Sequence, residues 1–227
     1  MKNKSYKKQI DEYLDKYGCI PDDKEDILVY LKEKLKLSEK DFEKINKMEA
    51  YVDSIPWNTL KIILPIIPKG TPRARLGMHG IFYVTGAKEN KKLCKYYIRD
   101  KHKIIYTKTH FTVTTYMPTP VKSMNRYEIY RAELQSIDPT SYPDWDNLGK
   151  TYSDMIQDIL IMNDNIITKG LVEKHYSVKP RVEIEIKYQE GFDSKFNKRR
   201  IQSSKAYNKA VEAGRIIEVY QERNDLW

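Results

Sequence analysis

The sequence predicts an α+β fold, a mixed β-sheet packed with helices, and three observations support this. Residues 103–117 and 180–188 alternate apolar and polar side chains, which is the period-two pattern of half-buried strands. Residues 59–67 are rich in isoleucine, a residue that favours strands. Residues 121–136 and 146–159 instead carry apolar side chains at helical spacing. We therefore expect a sheet of about four or five strands with three helices.

The first 55 residues are predicted to form a helical N-terminal extension. Apolar spacing and breaks at Gly18 and Pro21 indicate three short helices over 5–17, 22–35 and 38–50. The segment holds 12 Lys and 13 Asp or Glu, so its net charge is −1. A near-neutral charge favours a module that packs on the main domain over one that binds DNA, although both interpretations remain open.

The main domain is predicted over 56–190 and a C-terminal helical extension over 191–227. Its elements follow from periodicity and from breaks at proline and glycine. They are a strand at 59–67, a basic loop at 68–75, a short strand at 80–84, a basic helix at 86–101, a strand at 103–117, a helix at 121–136, and strands at 165–176 and 180–188. The C-terminal extension contains a predicted helix over 203–222.

Positive charge is concentrated in one block. The chain has a net charge of +9, and residues 69–108 alone hold 11 basic residues against Glu89 and Asp100, also a net +9. A basic run is often only a solvated face, but few acids compensate this one, which favours contacts with the phosphates of a polyanion. Outside the block, Lys169 and Lys174 are further candidates for phosphate contacts. The candidate phosphate-binding residues in the block are Lys69, Arg73, Arg75, Lys88, Lys92, Lys95 and Arg99.

Acidic residues cluster in a different stretch, which begins at Pro143. Proline disfavours the helical region for Tyr142, so the chain is expected to enter the stretch extended. Side chains two apart in an extended chain point the same way, so Asp144 and Asp146 would face one side with Trp145 turned away. Asp146 also suits the N-cap position of a helix.

In that helix Asp146, Lys150 and Asp154 are spaced four residues apart and share a face. A turn at 162–165 is then expected to bring Asp164 back toward the first pair. The opposite, apolar face carries Leu148, Tyr152, Met155 and Ile159.

Clustered carboxylates need a reason to stay together. Two anions 4 Å apart repel by about 4 kcal/mol at an effective dielectric of 20. A Mg²⁺ ion relieves the repulsion by taking carboxylate oxygens, and Lys150 offers a positive charge for a phosphate oxygen. Carboxylates that bind a metal ion beside a lysine are typical of enzymes that hydrolyse phosphodiesters with a metal ion. The alternative is a set of solvated acids and surface helix pairs, each worth only about 0.3–0.5 kcal/mol.

The full pattern resembles the RusA family of Holliday-junction resolvases. The family signature is a Pro-Asp-x-Asp-Asn-Leu-x-Lys run, a helix and a late pair of aspartates. Here the run is 143–150, Asp154 lies in the helix, and the late pair is Asn163-Asp164, with asparagine where the family has aspartate. The similarity covers roughly residues 58–188, and is weaker at 68–75 and Tyr83.

The resemblance implies a site, a cofactor and partners. It implies that Asp144, Asp146 and Asp164 bind Mg²⁺, with Mn²⁺ able to substitute, and that Lys150 assists catalysis. We interpret Asp154 as a residue that positions Lys150. The implied activity is the resolution of four-way and related branched DNA by a homodimer with one site per subunit.

Two other functions remain open. A phosphatase could use Asp144 and Asp146 as nucleophile and acid, but such pairs follow a buried apolar strand, and 138–143 is polar and proline-rich. A non-catalytic DNA-binding protein of recombination would explain the basic block but not the acids.

Two cysteines, Cys19 and Cys94, make neither a disulfide framework nor a zinc site. No apolar run approaches 18 residues, and the basic N-terminus lacks the apolar core of a signal peptide. We therefore expect a cytoplasmic protein with no membrane partner.

Overall fold

The computed structural model describes residues 24–70, 75–77, 80–82, 86–98 and 103–216, together with Lys8, Asp11, Glu12 and Asp15. Its helices are α1 Lys24–Leu35, α2 Glu39–Ser54, α3 Gly86–Ile98, α4 Arg126–Glu133, α5 Trp145–Ile156, α6 Lys195–Gln202 and α7 Lys205–Glu212. Its strands are β1 Trp57–Leu64, β2 Arg75–Gly77, β3 Gly80–Phe82, β4 Thr109–Pro118, β5 Ile167–Ser177 and β6 Arg181–Gln189. A short 3₁₀ helix, Asp164–Ile166, precedes β5.

The chain divides into two compact units, the first ending at Tyr51 and the second beginning at Val52. In the first unit the Tyr30 hydroxyl donates to Glu12 Oε2 at 3.0 Å. Ser38 and Asp41 cap α2, because the Ser38 amide donates to Asp41 Oδ2 at 2.8 Å. The division of the chain at 55/56 and 190/191 stays a prediction.

The second unit is built on a mixed four-stranded sheet with the order β1-β6-β4-β5. β6 pairs antiparallel with both β1 and β4, whereas β4 and β5 run parallel. β2 and β3 form a separate antiparallel pair. The sheet and the helices packed on it confirm the predicted α+β class.

One face of the sheet and one face of α5 form the core. Phe111 and Val113 of β4 and Ile184 of β6 are buried, and their neighbours along each strand are less so, as the alternating pattern predicted. On α5 the predicted apolar stripe is buried, with Leu148 0% and Tyr152 1% exposed. Burying each large apolar side chain stabilises the fold by about 1.5–3 kcal/mol.

Several predicted boundaries were wrong, and hydrogen bonds explain two of them. The predicted strand at 103–117 begins only at Thr109, because Ile105 instead forms an isolated bridge with Ile161. The predicted helix at 121–136 begins at Arg126, because Asn125 forms a capping box with Glu128.

The basic helix α3 is described over Gly86–Ile98, and among its described side chains Cys94 and Ile98 are buried. Leu93 and Tyr97 of the same helix are 41% and 40% exposed.

Of the predicted helix at 203–222, the described residues form the shorter helix α7, and residues 217–222 lie outside the described residues. A second short helix, α6, precedes α7. Ser194 and Ser204 cap them, each accepting a backbone N–H with its side chain. Ala210 of α7 is buried, and the Tyr207 ring meets Tyr106 of the core edge-on at a centroid distance of 5.2 Å. These helices therefore contribute to the same core as the sheet. Among the described helices, none has the length and apolar character needed to cross a membrane.

Candidate active site

The predicted acidic pair lies at the N-terminus of α5. Asp144 is the N-cap residue with extended backbone angles of −66° and 149°, and the helix begins at Trp145. The expectation that Asp146 is the N-cap was wrong, and so was the two-residue alternation, because helical geometry replaces extended geometry after Asp144. Both carboxylates are exposed at the positive end of the helix dipole, which favours anions.

The loop that leads into α5 is hydrogen-bonded to a side chain of β5. Lys174 Nζ donates to the carbonyl oxygens of Ser141 at 2.8 Å and Pro143 at 3.1 Å. Lys174 therefore holds the backbone next to Asp144, where we had interpreted it as a phosphate contact. The Tyr142–Pro143 peptide bond is cis.

The first turn of α5 is fastened to the same strand. Trp145 Nε1 donates to the Val172 carbonyl at 3.2 Å. One turn later a Cβ on Gly149 would lie 3.0 Å from Val172 Cγ2, so the helix and the strand approach closely there. Trp145 keeps 61% of its surface exposed while its indole nitrogen is bonded. The acidic pair is thus positioned by the N-terminus of α5, which is hydrogen-bonded to the edge strand β5.

A second loop packs on the same helix end. The Lys69 amide donates to the Tyr152 hydroxyl at 3.2 Å, and burial raises the pKa of Tyr152 to about 12. A Cβ on Gly70 would collide with the Asn147 side-chain amide and lie 3.3 Å from Pro143 Cβ. The exposed Lys69 side chain therefore starts next to the acidic stretch. Sequence reasoning missed Gly70, although a glycine between basic residues and prolines is a usual sign of close backbone approach.

Lys150 and Asp154 continue along α5. Lys150 is exposed and Asp154 half-buried. Lys150 forms no ion pair with either Asp146 or Asp154 in the described part of the chain. The positioning of Lys150 by Asp154 therefore stays a prediction.

Asp164 lies immediately before the N-terminal end of β5. The predicted turn is present, and Asn163 caps it by accepting the Asn165 amide at 3.0 Å. Asp164 precedes the first residue of β5 by three positions, whereas the acidic pair is tied to Val172, five residues into the strand. Five strand residues span about 16 Å. Within the described ranges, no three Asp, Glu, His or Cys side chains form a group that could hold a metal.

The structure thus places Asp144 and Asp146 at one helix end, and among the residues it describes they form no three-ligand group with Asp164. Of the predicted phosphate contacts, Lys92 and Lys95 are exposed on α3. Arg75 and Lys88 are described by their backbone, in β2 and α3, while Arg73 and Arg99 lie outside the described residues.

Residues 65–187, more than half of the chain, match the family model described as endodeoxyribonuclease RusA. This chain belongs to the RusA family. Membership implies a nuclease that resolves Holliday junctions and binds branched DNA. The match contains Lys69 and every candidate acid, and it leaves out α6 and α7. No curated protein matches the chain.

The donor chemistry of the acidic pair suits the metal that the RusA resemblance implies. Mg²⁺ is commonly bound through one or two carboxylates, with waters and substrate phosphates completing its shell. Asp144 and Asp146 are both exposed at the N-terminus of α5. The Asp144 and Asp146 carboxylates therefore fit one Mg²⁺, and Asp164 remains a predicted third ligand.

Proposed function

We propose that this RusA-family protein is a Mg²⁺-dependent, structure-selective endodeoxyribonuclease that resolves Holliday junctions and related branched DNA in recombination and repair. The observation that carries the proposal is the pair Asp144 and Asp146, both exposed at one helix N-terminus inside the region that matches the family. The reaction is the hydrolysis of a phosphodiester bond by water.

Asp144, Asp146 and Asp164 are the proposed ligands of Mg²⁺, with Mn²⁺ able to substitute. When bound, the ion supplies a water of lowered pKa and a positive charge for the phosphate oxygens. The contribution of the protein is to hold two carboxylates at a fixed helix end, through the bonds of Trp145 and Lys174 to neighbouring backbone.

Lys150 lies one helical turn after Asp146. We assign to it the stabilisation of charge that develops on the phosphate, or protonation near the leaving oxygen. Its exposed side chain forms no ion pair in the described part of the chain, so the ammonium group is available to a phosphate. Asp154, four residues further on, is the proposed partner that orients Lys150 when DNA is bound.

The basic block positions the DNA by its phosphates without reading base sequence. Lys69 begins beside the acidic stretch, and Lys92 and Lys95 project from α3. The full proposed set is Lys69, Arg73, Arg75, Lys88, Lys92, Lys95 and Arg99. A homodimer with one site per subunit, as the family resemblance implies, would nick two strands of the junction.

The test is cleavage of a synthetic four-way junction by the full chain, with Mg²⁺ or with a chelator. We expect cutting only with the metal. Asp146→Asn should bind the junction with unchanged affinity and lose at least about 100-fold in cleavage rate, since it removes a metal ligand but no phosphate contact. Loss of binding together with cleavage would instead assign the acids a structural role. Tight binding by the wild-type chain without any cutting would favour a non-catalytic junction-binding protein.

A further inference from the structure

A second cluster of basic and aromatic side chains lies at one end of the four-stranded sheet. We call it the basic sheet end, and it consists of Trp57, Lys108, His110, Lys169 and Lys187. His110 of β4 is in register with Lys169 of β5 on one side and with Lys187 of β6 on the other. Trp57 opens β1, and Lys108 immediately precedes β4. Four neighbouring chain segments thus contribute to one surface.

Trp57 is held in place but remains accessible. Its ring packs on the His110 ring with a centroid distance of 4.5 Å and an angle of 37°. Lys108 Nζ lies 5.9 Å from the centre of the same indole ring. The residue is still 41% exposed. A fixed aromatic ring with an open surface beside cations is the arrangement on which unpaired bases stack in single-strand-binding proteins.

The charge of this cluster is only partly neutralised. Lys187 Nζ lies 3.3 Å from Glu185, which is also paired with Lys61. Lys108 and Lys169 form no ion pair among the residues that the structure describes. The pKa of His110 is lowered by burial and then by the ammonium groups of Lys169, Lys108 and Lys187, as expected where the local potential is positive.

A cavity next to the basic sheet end is lined by Lys108 and reaches Asn165, the residue after Asp164. Lys108 lines it together with Asn165, Thr168, Asp193 and Arg200, so one further cation, one acid and hydrogen-bonding groups border the cluster. Trp57 and Arg200 both lie outside the residues matched by the RusA model. The surface therefore includes parts of this chain that the family match does not cover.

We propose that the basic sheet end is a second DNA-binding surface, where Lys108 and Lys169 bind backbone phosphates and Trp57 stacks on an unpaired base of branched DNA. The choice of ligand rests on the proposed nuclease function. The surface shares only Lys108 with the basic block 69–108, and it contains none of the seven residues of that block to which phosphate binding was first assigned.

The first experiment measures the affinity of a labelled four-way junction at several salt concentrations, with a chelator present so that no strand is cut. The double variant Lys108→Gln with Lys169→Gln should bind about tenfold more weakly. The slope of log affinity against log salt should fall by about two units, since each lost phosphate contact removes about 0.9. Lys179→Gln is the matched control, because it removes one exposed lysine from the β5–β6 turn at the opposite end of the sheet. It should leave both quantities unchanged.

The second experiment tests stacking. Trp57→Ala should weaken junction binding at least about fivefold, whereas Trp57→Phe, which keeps an aromatic ring, should restore most of the affinity. Melting curves of each variant separate loss of binding from loss of folding. If Trp57→Phe and Trp57→Ala are equally weak although both are folded, the stacking role is wrong.

Unchanged affinity and salt slope in the folded double lysine variant would overturn the proposal. If that variant instead changed only the sedimentation of the protein, the surface would be a contact between two copies of the chain. The wild-type chain distinguishes this inference from the nuclease proposal. Binding that depends on the basic sheet end without any cutting would refute the nuclease alone, whereas cutting with unaffected binding in the variants would refute the second surface alone.

Discussion

The middle of β5 and its N-terminal end differ in how charge is arranged around them. Near Val172 the strand holds a helix end with two exposed carboxylates, and the nearby cation Lys174 is bonded to backbone oxygens. Near Ile167 a single carboxylate, Asp164, lies in a capped turn, and the lysines around His110 form the basic sheet end. The difference teaches that acids separated by only 18 residues along the chain can be placed at different points of one strand.

The largest expected effect tests whether Asp164 acts in the same reaction as Asp144 and Asp146. Asp164→Asn should reduce junction cleavage by about 100-fold, near 2.7 kcal/mol in the barrier, because a carboxylate ligand becomes a neutral amide. Junction affinity in chelator should not change. Asp158→Asn is the control, since Asp158 is also exposed and its positive φ of 64° is tolerated by asparagine. Normal cleavage by Asp164→Asn would confine the chemistry to Asp144 and Asp146.

A smaller effect is expected where the loop of Lys69 meets α5. Gly70→Ala places a methyl group against Asn147 and should lower the free energy of unfolding by about 1–3 kcal/mol, the usual result of overpacking. Gly170→Ala on β5 is the matched control, because a Cβ there meets no atom within 4 Å. Denaturant unfolding of both variants measures the difference. Equal stability of the two would mean that the loop moves away from Asn147 without cost.

The fastening of the acidic loop gives a third prediction. Lys174→Met removes both hydrogen bonds to the Ser141 and Pro143 carbonyls and should slow cleavage about tenfold, because the Asp144 carboxylate is then less well positioned. Affinity for the junction should change little. Lys179→Met removes the same charge from the turn after β5 and should cut normally. A loss of affinity equal to the loss of rate would instead mean that Lys174 contacts phosphate.

The smallest effect concerns acid stability at the basic sheet end. The folded-state pKa of His110 is lowered, so the unfolded chain binds more protons, and stability is lost as the pH falls through about 6.5. The wild-type melting temperature should therefore drop more between pH 7.5 and 5.5 than that of His110→Gln. Lys169→Gln removes one of the cations near the imidazole and should give an intermediate drop. Identical drops in all three proteins would contradict the positive potential inferred around His110.

The sequence predicted the elements with strong periodicity. The buried residues of β4 and α5 followed from alternation and helical spacing, since each needs only local geometry and the preference of apolar side chains for the interior. Ends of elements were less accessible. The start of β4 at Thr109 depends on the long-range bridge between Ile105 and Ile161. The starts of α4 and α7 depend on capping bonds of the Asn125 and Ser204 side chains, and polar residues of this kind do not contribute to apolar periodicity.

The acidic residues of the candidate site were predicted from the sequence, whereas the contacts that hold them in place were seen only in the structure. Neither spacing nor composition indicated that Lys174 would bond to backbone oxygens of the acidic loop, because 31 residues separate it from Pro143. Lys169 was a predicted phosphate contact, but the sequence did not predict that a Trp57–His110 pair would lie near it, since these two rings meet only through the pairing of β1 and β4 with β6.

The sequence by itself determined the family, the α+β class and the acids at 144 and 146, because a motif and a periodicity are properties of neighbouring residues. Only the tertiary structure decided where along β5 each acid lies and which of the described lysines remain without an ion pair. Those outcomes depend on strand order and on contacts between residues far apart in the chain, where burial and hydrogen bonding are determined by the assembled sheet and not by any local pattern.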